Sequence, residues 1–155
     1  MKHLRLLIFI VPAFLFSACN TIDVFEKTAP IPLHKWSSDT SLSFTFQAKD
    51  TLAYYNIYFV LRHTEAYHFN NIYIDFTSTF PNKKPHTTRF ELKLTNGKGW
   101  IGTAMDDIIE QRMLLFTKPS RLDSGTYTFA IRQVMREDPL ENVLNAGVRV
   151  EKVVQ

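Results

Sequence analysis

The chain has 155 residues, with 18 lysines and arginines against 15 aspartates and glutamates, and a single cysteine. One cysteine excludes an intramolecular disulfide, so the fold must rest on a hydrophobic core, and this length suits one domain. The charge is modest and no basic run is longer than Lys83-Lys84, which gives no support to nucleic-acid binding.

The N-terminus has the layout of a secretory signal peptide. A basic start that includes Lys2 and Arg5 precedes an uninterrupted apolar run over residues 6–16, as secretory signals require. A permanent transmembrane helix needs about 20 apolar residues, so we expect this run to be cleaved. Removing residues 1–18 takes away Lys2 and Arg5, which leaves sixteen basic residues against fifteen acidic ones.

The lone Cys19 has three possible roles: a small buried side chain, a catalytic thiol, or the point of cleavage and lipidation. Ordinary signal cleavage after Ala18 would place the bulky Phe16 where a small residue is required. The segment Phe16-Ser17-Ala18-Cys19 is similar to a bacterial lipoprotein box, with a large apolar residue, two small residues and cysteine. We therefore predict a signal peptide over residues 1–18 and a lipid on Cys19.

Residues 19–33 are predicted to be a lipidated N-terminus and tether, with a single domain at 34–155. The segment Ala29-Pro30-Ile31-Pro32 favours an extended path, because proline restricts both its own backbone and that of the residue before it. Residues 22–26 are also compatible with a short edge strand.

Alternation of apolar and polar residues then predicts half-buried strands in SLSFTFQA (41–48), NNIYIDFTS (70–78) and RFELKL (89–94). The segment YYNIYFVLRH (54–63) is apolar on both faces and suits a central strand. An Asn-Gly turn follows within residues 95–99. Apolar residues at helical spacing make 105–116 ambiguous, and we expect a loop or single helical turn followed by a strand.

The C-terminal third predicts further strands. The segment DSGTYTFAIRQVM (123–135) resembles the tyrosine corner of Greek-key sandwiches, in which the Tyr127 hydroxyl would bond to nearby backbone. Gly147 is expected to form a bulge in the last strand. Seven to nine strands with closely spaced turns predict an all-β fold, an antiparallel β-sandwich of Greek-key or jelly-roll type.

Two polar stretches that follow predicted strands are candidates for binding a partner at the rim of the sandwich. Arginine and aromatic anchors are typical of such surfaces. The alternative is that Arg62 forms an internal salt bridge with Glu65, and Arg136 with Glu137 or Asp138. The candidate residues are Arg62, His63, Glu65, Tyr67, Arg136, Glu137 and Asp138.

Other chemistries have less support. Trp36 and Trp100 suggest a carbohydrate-binding module that stacks sugar rings, although both side chains could instead plug the core. A zinc site at His63, Glu65 and His68 lacks an H-E-x-x-H motif. The acidic group Asp106, Asp107 and Glu110 is better explained as a solvated turn than as a calcium loop. No nucleotide-binding or serine-hydrolase motif occurs, and no carboxylate pair suggests a glycan hydrolase.

Five longer stretches are informative when they are taken together. They are DVFEK (23–27), IPLHKW (31–36), YNIYFVLRHTEAYHFNNI (55–72), GKGWIGTAMDDIIEQRM (97–113) and GTYTFAIRQVMREDPLENVLNAGVRVEK (125–152). Together they resemble the gliding-motility lipoprotein family GldH. They follow the order of that family and span essentially the whole mature chain.

The resemblance implies an outer-membrane lipoprotein, lipidated at Cys19, that serves the gliding and type IX secretion apparatus of Bacteroidetes-type bacteria. It implies no catalytic residue, no cofactor beyond the covalent lipid, and envelope proteins rather than nucleic acid as partners. Surface export of lipoproteins in this phylum usually uses an acidic signal after the cysteine. Asn20-Thr21-Ile22 lacks one, so we expect a periplasm-facing domain. The sequence sets no oligomeric state.

Overall fold

Residues 24–153 are described by this computed structural model, and within that range every regular element is a β-strand except one 3-10 turn at Pro32–His34. The strands are β1 (Val24–Pro30), β2 (Lys35–Trp36), β3 (Leu42–Ala48), β4 (Tyr54–Thr64), β5 (Asn71–Thr79), β6 (His86–Lys93), β7 (Thr103–Met105), β8 (Ile108–Leu114), β9 (Ser120–Arg121), β10 (Gly125–Gln133), β11 (Leu140–Glu141) and β12 (Val143–Lys152).

The strands form two main antiparallel sheets. The front sheet has the order β1-β12-β4-β8-β7, and the short β9 pairs with β4 beyond the end of β8. The back sheet has the order β3-β10-β5-β6, and β2 pairs with β11 as a separate ribbon. The predicted antiparallel β-sandwich is therefore confirmed, with twelve strands in the described residues rather than seven to nine.

The core lies between the sheets because alternate side chains of each strand point inward. In β4 the inward residues are aromatic or aliphatic from Tyr55 to Leu61, and in β5 Ile72, Ile74 and Phe76 are buried. Phe46 of the back sheet joins the layers, with ring centroids 5.3 Å from Phe25 and 6.1 Å from Tyr55. Burying such aromatic surfaces is the dominant favourable term in folding.

The tyrosine corner is confirmed at the start of β10. The Tyr127 hydroxyl donates a hydrogen bond to the backbone oxygen of Asp123 at 3.2 Å, and the ring is buried. Gly125 precedes it with φ +141°, a conformation that side chains rarely adopt. The chain is thereby fixed where it enters the back sheet.

Within the predicted tether at 19–33, the edge-strand alternative given for residues 22–26 is confirmed from residue 24 onward, and the strand is longer than expected. Val24–Pro30 is not a linker but edge strand β1, which pairs with β12 along seven residues. Gly147 is also not a bulge: the register shift lies between Val143 and Asn145. Gly147 instead lets β1 approach closely, because a Cβ there would lie 2.2 Å from the Lys27 backbone oxygen.

The ambiguous segment 105–116 is a hairpin with no helical turn. Strands β7 and β8 are joined at Asp106 and Asp107, and Asp106 has φ 54°, a left-handed conformation that aspartate tolerates better than most residues. The apparent helical spacing therefore coincides with two strands. The strand that we expected in the second part of this segment is present as Ile108–Leu114.

The strand ends define two ends of the sandwich. The proximal end contains Val24, where β1 begins, and the loops 49–53, 80–85, 115–119 and 122–124. The distal end contains the loops 31–34, 37–41, 65–70, 94–102, 106–107 and 134–139. Within residues 24–153, no helix is long and apolar enough to cross a membrane.

Candidate protein-interaction site

The two stretches predicted from the sequence to bind a partner meet at the distal end. The backbone nitrogen of Thr64 donates to Asn142 at 3.0 Å, and the Asn142 side chain donates to the Ala66 oxygen at 3.0 Å. His68 lies 3.3 Å from the Glu137 carboxylate. The loop after β4 and the loops on both sides of β11 therefore form one continuous surface.

His63 and Tyr67 are wrong as surface anchors, because their side chains are buried at 0% and 4% exposure. The Nδ1 of His63 lies 2.8 Å from the Thr64 oxygen and its Nε2 lies 3.0 Å from the Gln111 amide nitrogen. Neutral imidazole satisfies both contacts, donating at Nδ1 and accepting at Nε2. Burial lowers the pKa of His63 and raises that of Tyr67. These residues support the surface from beneath.

Arg62 points to the outer face of the front sheet. Its guanidinium pairs with Glu110. The internal salt-bridge alternative had instead predicted a pair with Glu65. Glu110 also contacts Arg112 at 2.5 Å, and Arg112 reaches Glu26 at 2.9 Å. Hydrogen bonds from Arg112 are the largest of the influences that lower the pKa of Glu26. Arg149 extends this chain of ion pairs by contacting Glu26 and Glu151 at 3.0 and 2.8 Å.

The remaining candidates divide into structural and exposed residues. Asp138 accepts hydrogen bonds from the Ser38 nitrogen at 2.8 Å and hydroxyl at 2.5 Å, which lower its pKa. Glu137 accepts a bond from the Glu141 nitrogen at 3.1 Å. These bonds attach the loop 134–139 to Ser38 and to strand β11, so Asp138 and Glu137 have structural roles. Arg136 and Glu65 are exposed and remain available to a partner.

A groove of about 550 Å³ on the outer face of the front sheet extends this surface. Apolar and charged side chains alternate along it, and Met105 is 75% exposed. The sequence analysis missed this groove because 105–116 was not assigned as a hairpin. The outward row Ile108, Glu110 and Arg112 was the signal that could have found it. Its lining residues are Arg62, Thr103, Met105, Ile108, Glu110, Arg112, Leu144 and Asn145.

The sugar-stacking hypothesis is wrong for Trp36. This side chain is fully buried, and its indole nitrogen donates to the Thr40 oxygen at 3.0 Å. Trp100 is half-buried, and its ring centroid lies 4.6 Å from that of His63 and 6.3 Å from that of Tyr67. Trp36 therefore fills the distal end of the hydrophobic core. Trp100 packs over His63 and Tyr67 on the solvent side of that end.

Within the described residues, no group of three or more His, Cys, Asp or Glu side chains is placed to hold a metal ion. Asp106 and Asp107 lie on the exposed β7–β8 turn, whereas Glu110 belongs to the arginine network. His63 is already bonded at both ring nitrogens, and His68 faces Glu137. Cys19 lies outside the described residues.

The sequence model of the GldH lipoprotein family matches residues 23–150. The chain belongs to the GldH lipoprotein family. The gliding motility lipoprotein GldH homolog of Christiangramia forsetii is 27% identical over 94% of this chain and 93% of its own length. The gliding motility lipoprotein GldH of Flavobacterium johnsoniae is 26% identical over 94% of both chains. The GldH family is named for a lipoprotein and not for an enzymatic activity.

Among solved structures, the VP2 subviral particle of infectious bursal disease virus has a TM-score of 0.36 and 13% identity. The similarity covers 86% of this chain and 33% of that chain. At this level the similarity supports no inference about the GldH domain.

Proposed function

We propose that this protein is an outer-membrane lipoprotein that supports gliding motility by holding components of the motility and type IX secretion apparatus. The observation that carries the proposal is membership of the GldH lipoprotein family over residues 23–150. Both curated relatives are named gliding motility lipoproteins and match along nearly their whole length. The role is one of binding rather than catalysis, and the domain faces the periplasm.

The anchor in this proposal is a lipid on Cys19, with palmitate among its acyl chains. Strand β1 begins at Val24, and an extended chain covers at most about 3.6 Å per residue. Cys19 therefore lies within about 18 Å of the folded domain. Two or more acyl chains on one cysteine hold a protein firmly, whereas one chain binds reversibly.

The Cys19→Ala variant tests the anchor. We expect loss of palmitate labelling and release of the protein from the membrane fraction, while the domain still folds because Cys19 lies outside it. Undiminished labelling would refute the assignment. Protease treatment of intact cells tests the orientation: a periplasm-facing domain is protected until the outer membrane is permeabilised.

The partner surface in this proposal consists of Arg62, Glu65, Met105 and Arg136, which surround the distal end and the groove. Arginine and methionine are enriched at protein interfaces, and the ion pair of Arg62 with Glu110 fixes its geometry before binding. Such preorganisation reduces the entropy lost when a partner is ordered. The surface thus suits a protein partner with complementary charges and an apolar anchor.

Photo-crosslinking in cells tests this surface. A crosslinker at Met105 should capture motility or secretion components, and a matched crosslinker at Arg89, exposed on the outer face of the back sheet, should not. Deleting the gene should stop both spreading and type IX export. Equal capture at both positions would contradict the assigned surface, and normal spreading and export would contradict the function itself.

A further inference from the structure

The loops of the proximal end carry a net positive charge. They hold four lysines, and their only acidic residues are Asp50 and Asp123. Asp50 already pairs with Lys152 at the same end, and the neighbouring strand β9 adds Arg121. The lysines, all exposed, are Lys49, Lys83, Lys84 and Lys118.

The loops of the distal end have the opposite charge. They carry six acidic residues against two basic ones, Lys98 and Arg136. The acidic residues are Asp39, Glu65, Asp106, Asp107, Glu137 and Asp138. The loops at the two ends of the sandwich therefore carry opposite net charge, although the total charge of the domain is close to zero.

The proximal end also projects an apolar tip. Leu52, in the turn between β3 and β4, is 78% exposed. The Asp50 carboxylate accepts hydrogen bonds from the nitrogens of Leu52 at 3.0 Å and Ala53 at 3.2 Å. The Tyr55 hydroxyl donates to the Asp50 backbone oxygen at 3.0 Å. The turn is thus held by its own bonds, and it presents Leu52 to the surroundings.

The lysines and Leu52 lie at the end where the chain from Cys19 enters the fold. Val24 pairs with Glu151 at the start of β1, and Val153 donates its nitrogen to the Tyr54 oxygen beside the Leu52 turn. With Cys19 acylated, the lipid is within about 18 Å of this end. The loops are consequently the part of the domain that a bilayer meets first.

We infer that the proximal end docks on an anionic lipid surface, with Leu52 entering the headgroup region and the lysines contacting lipid phosphates. The proposed lipidation is needed to place the proximal end beside the membrane. The affinity of the lysines and Leu52 for an anionic lipid surface does not depend on it. A basic surface with an apolar tip is typical of proteins that lie on membranes. The docked domain stands upright, and its distal surface points away from the membrane.

Charge and apolar burial make separable contributions to this docking. Each lysine near an anionic membrane strengthens binding about fivefold, and the effect is screened by salt. Burying one leucine side chain strengthens binding by about tenfold or more. Both effects act while the acyl chains hold the domain at the surface, so weak docking is sufficient to orient it.

Vesicle co-sedimentation of residues 19–155 with Cys19→Ala tests the inference without the anchor. We use vesicles of phosphatidylglycerol and phosphatidylethanolamine at about 30:70, and neutral phosphatidylcholine vesicles for comparison. Binding is expected to anionic vesicles only, and to fall at least tenfold when monovalent salt rises from about 0.05 to 0.5 M.

Charge reversal and its matched control locate the surface. Lys83→Glu with Lys84→Glu should weaken binding to anionic vesicles by about tenfold or more. Lys98→Glu with Arg136→Glu reverses two exposed charges at the distal end and should change binding less than twofold. Equal losses in both double variants would overturn the assignment to the proximal end.

Two exposed leucines give a second matched pair. Leu52→Asp should weaken vesicle binding about tenfold, whereas Leu33→Asp, at a distal residue that is 89% exposed, should leave it unchanged. No binding of the parent protein to anionic vesicles, or equal binding to neutral ones, would overturn the inference. Lipidation of Cys19 is tested separately by palmitate labelling of the Cys19→Ala variant in cells. A failure of the proposed lipidation can therefore be distinguished from a failure of the proposed docking.

Discussion

The distal end of the sandwich is closed by buried polar side chains, whereas the proximal end is closed mainly by short turns. At the distal end Gln133 donates to the Trp36 oxygen at 3.2 Å, and His63 and Gln111 bond to each other in the core. At the proximal end the tyrosine corner and the Asp50 turn bond chiefly to nearby backbone. Polar bonds between residues distant in sequence fix a unique surface, which suits a specific partner better than a lipid surface.

The largest expected effect comes from removing the plug of the distal end. Trp36→Ala should cost about 3–5 kcal/mol of folding free energy, because a fully buried indole leaves a cavity that the sheets cannot fill. Urea unfolding measures the loss. The matched variant Trp100→Ala removes an indole that is only half-buried and should cost less. Equal losses would contradict the different roles of the two side chains.

Strand β1 joins the two ends, and Gly147→Ala tests its attachment. The new Cβ would lie 2.2 Å from the Lys27 oxygen and 2.7 Å from the Thr28 Cα, so β1 must shift. We expect a cost of about 1–3 kcal/mol, as for other overpacked sites. Gly99→Ala is the control, because nothing lies within 4 Å of a Cβ there. An unchanged unfolding midpoint for Gly147→Ala would refute the close approach.

Acid should lower the free energy of unfolding through His63, which is buried at the distal end. Burial lowers its pKa in the folded state, so below the unfolded value of about 6.5 the unfolded chain binds a proton that the folded chain does not. Stability is then lost as pH falls from about 6.5 toward the folded pKa, by at most about 1.4 kcal/mol per pH unit. His63→Gln should flatten this slope below about pH 6.5. The same slope in both proteins would contradict the prediction.

The smallest effect is expected at the proximal end. Tyr127→Phe should cost about 1 kcal/mol, the net contribution of one hydrogen bond, because the hydroxyl bond to Asp123 is lost. Tyr54→Phe is the control, since its hydroxyl has no hydrogen-bond partner among residues 24–153. Thermal unfolding of the two variants should differ by a few degrees. Matching midpoints would argue against a stabilising tyrosine corner.

Alternation in the sequence predicted the strands whose two faces differ most. Ile72, Ile74 and Phe76 are buried as expected, and Tyr127 forms its predicted bond. The pattern was incomplete at β1: it allowed an edge strand at residues 22–26, but Pro30 suggested a linker although it lies at the last position of a strand. Proline at the end of an edge strand removes no internal ladder bond.

The candidate site was harder to predict because its geometry depends on residues far apart in sequence. Arg62 and His63 are adjacent, yet Arg62 contacts Glu110 outside the sheet and His63 contacts Gln111 inside the core. Which neighbour faces inward follows from the register of β4 with β8, a pairing across 48 residues. The local sequence around Arg62 and His63 carries no information about that pairing, so the contacts of the two side chains could not be predicted from it.

Strand β1 also determines how the domain bears mechanical load. In the proposed arrangement, with Cys19 anchored in the membrane and a partner bound at the distal surface, tension would enter at Val24 and run along the strand axis. The hydrogen bonds to β12 lie across this axis, so the seven paired residues from Val24 to Pro30 resist the pull together in shear. A pull perpendicular to the strand would instead break these hydrogen bonds one after another. In this arrangement the domain is coupled to its anchor through the stiff direction of a sheet.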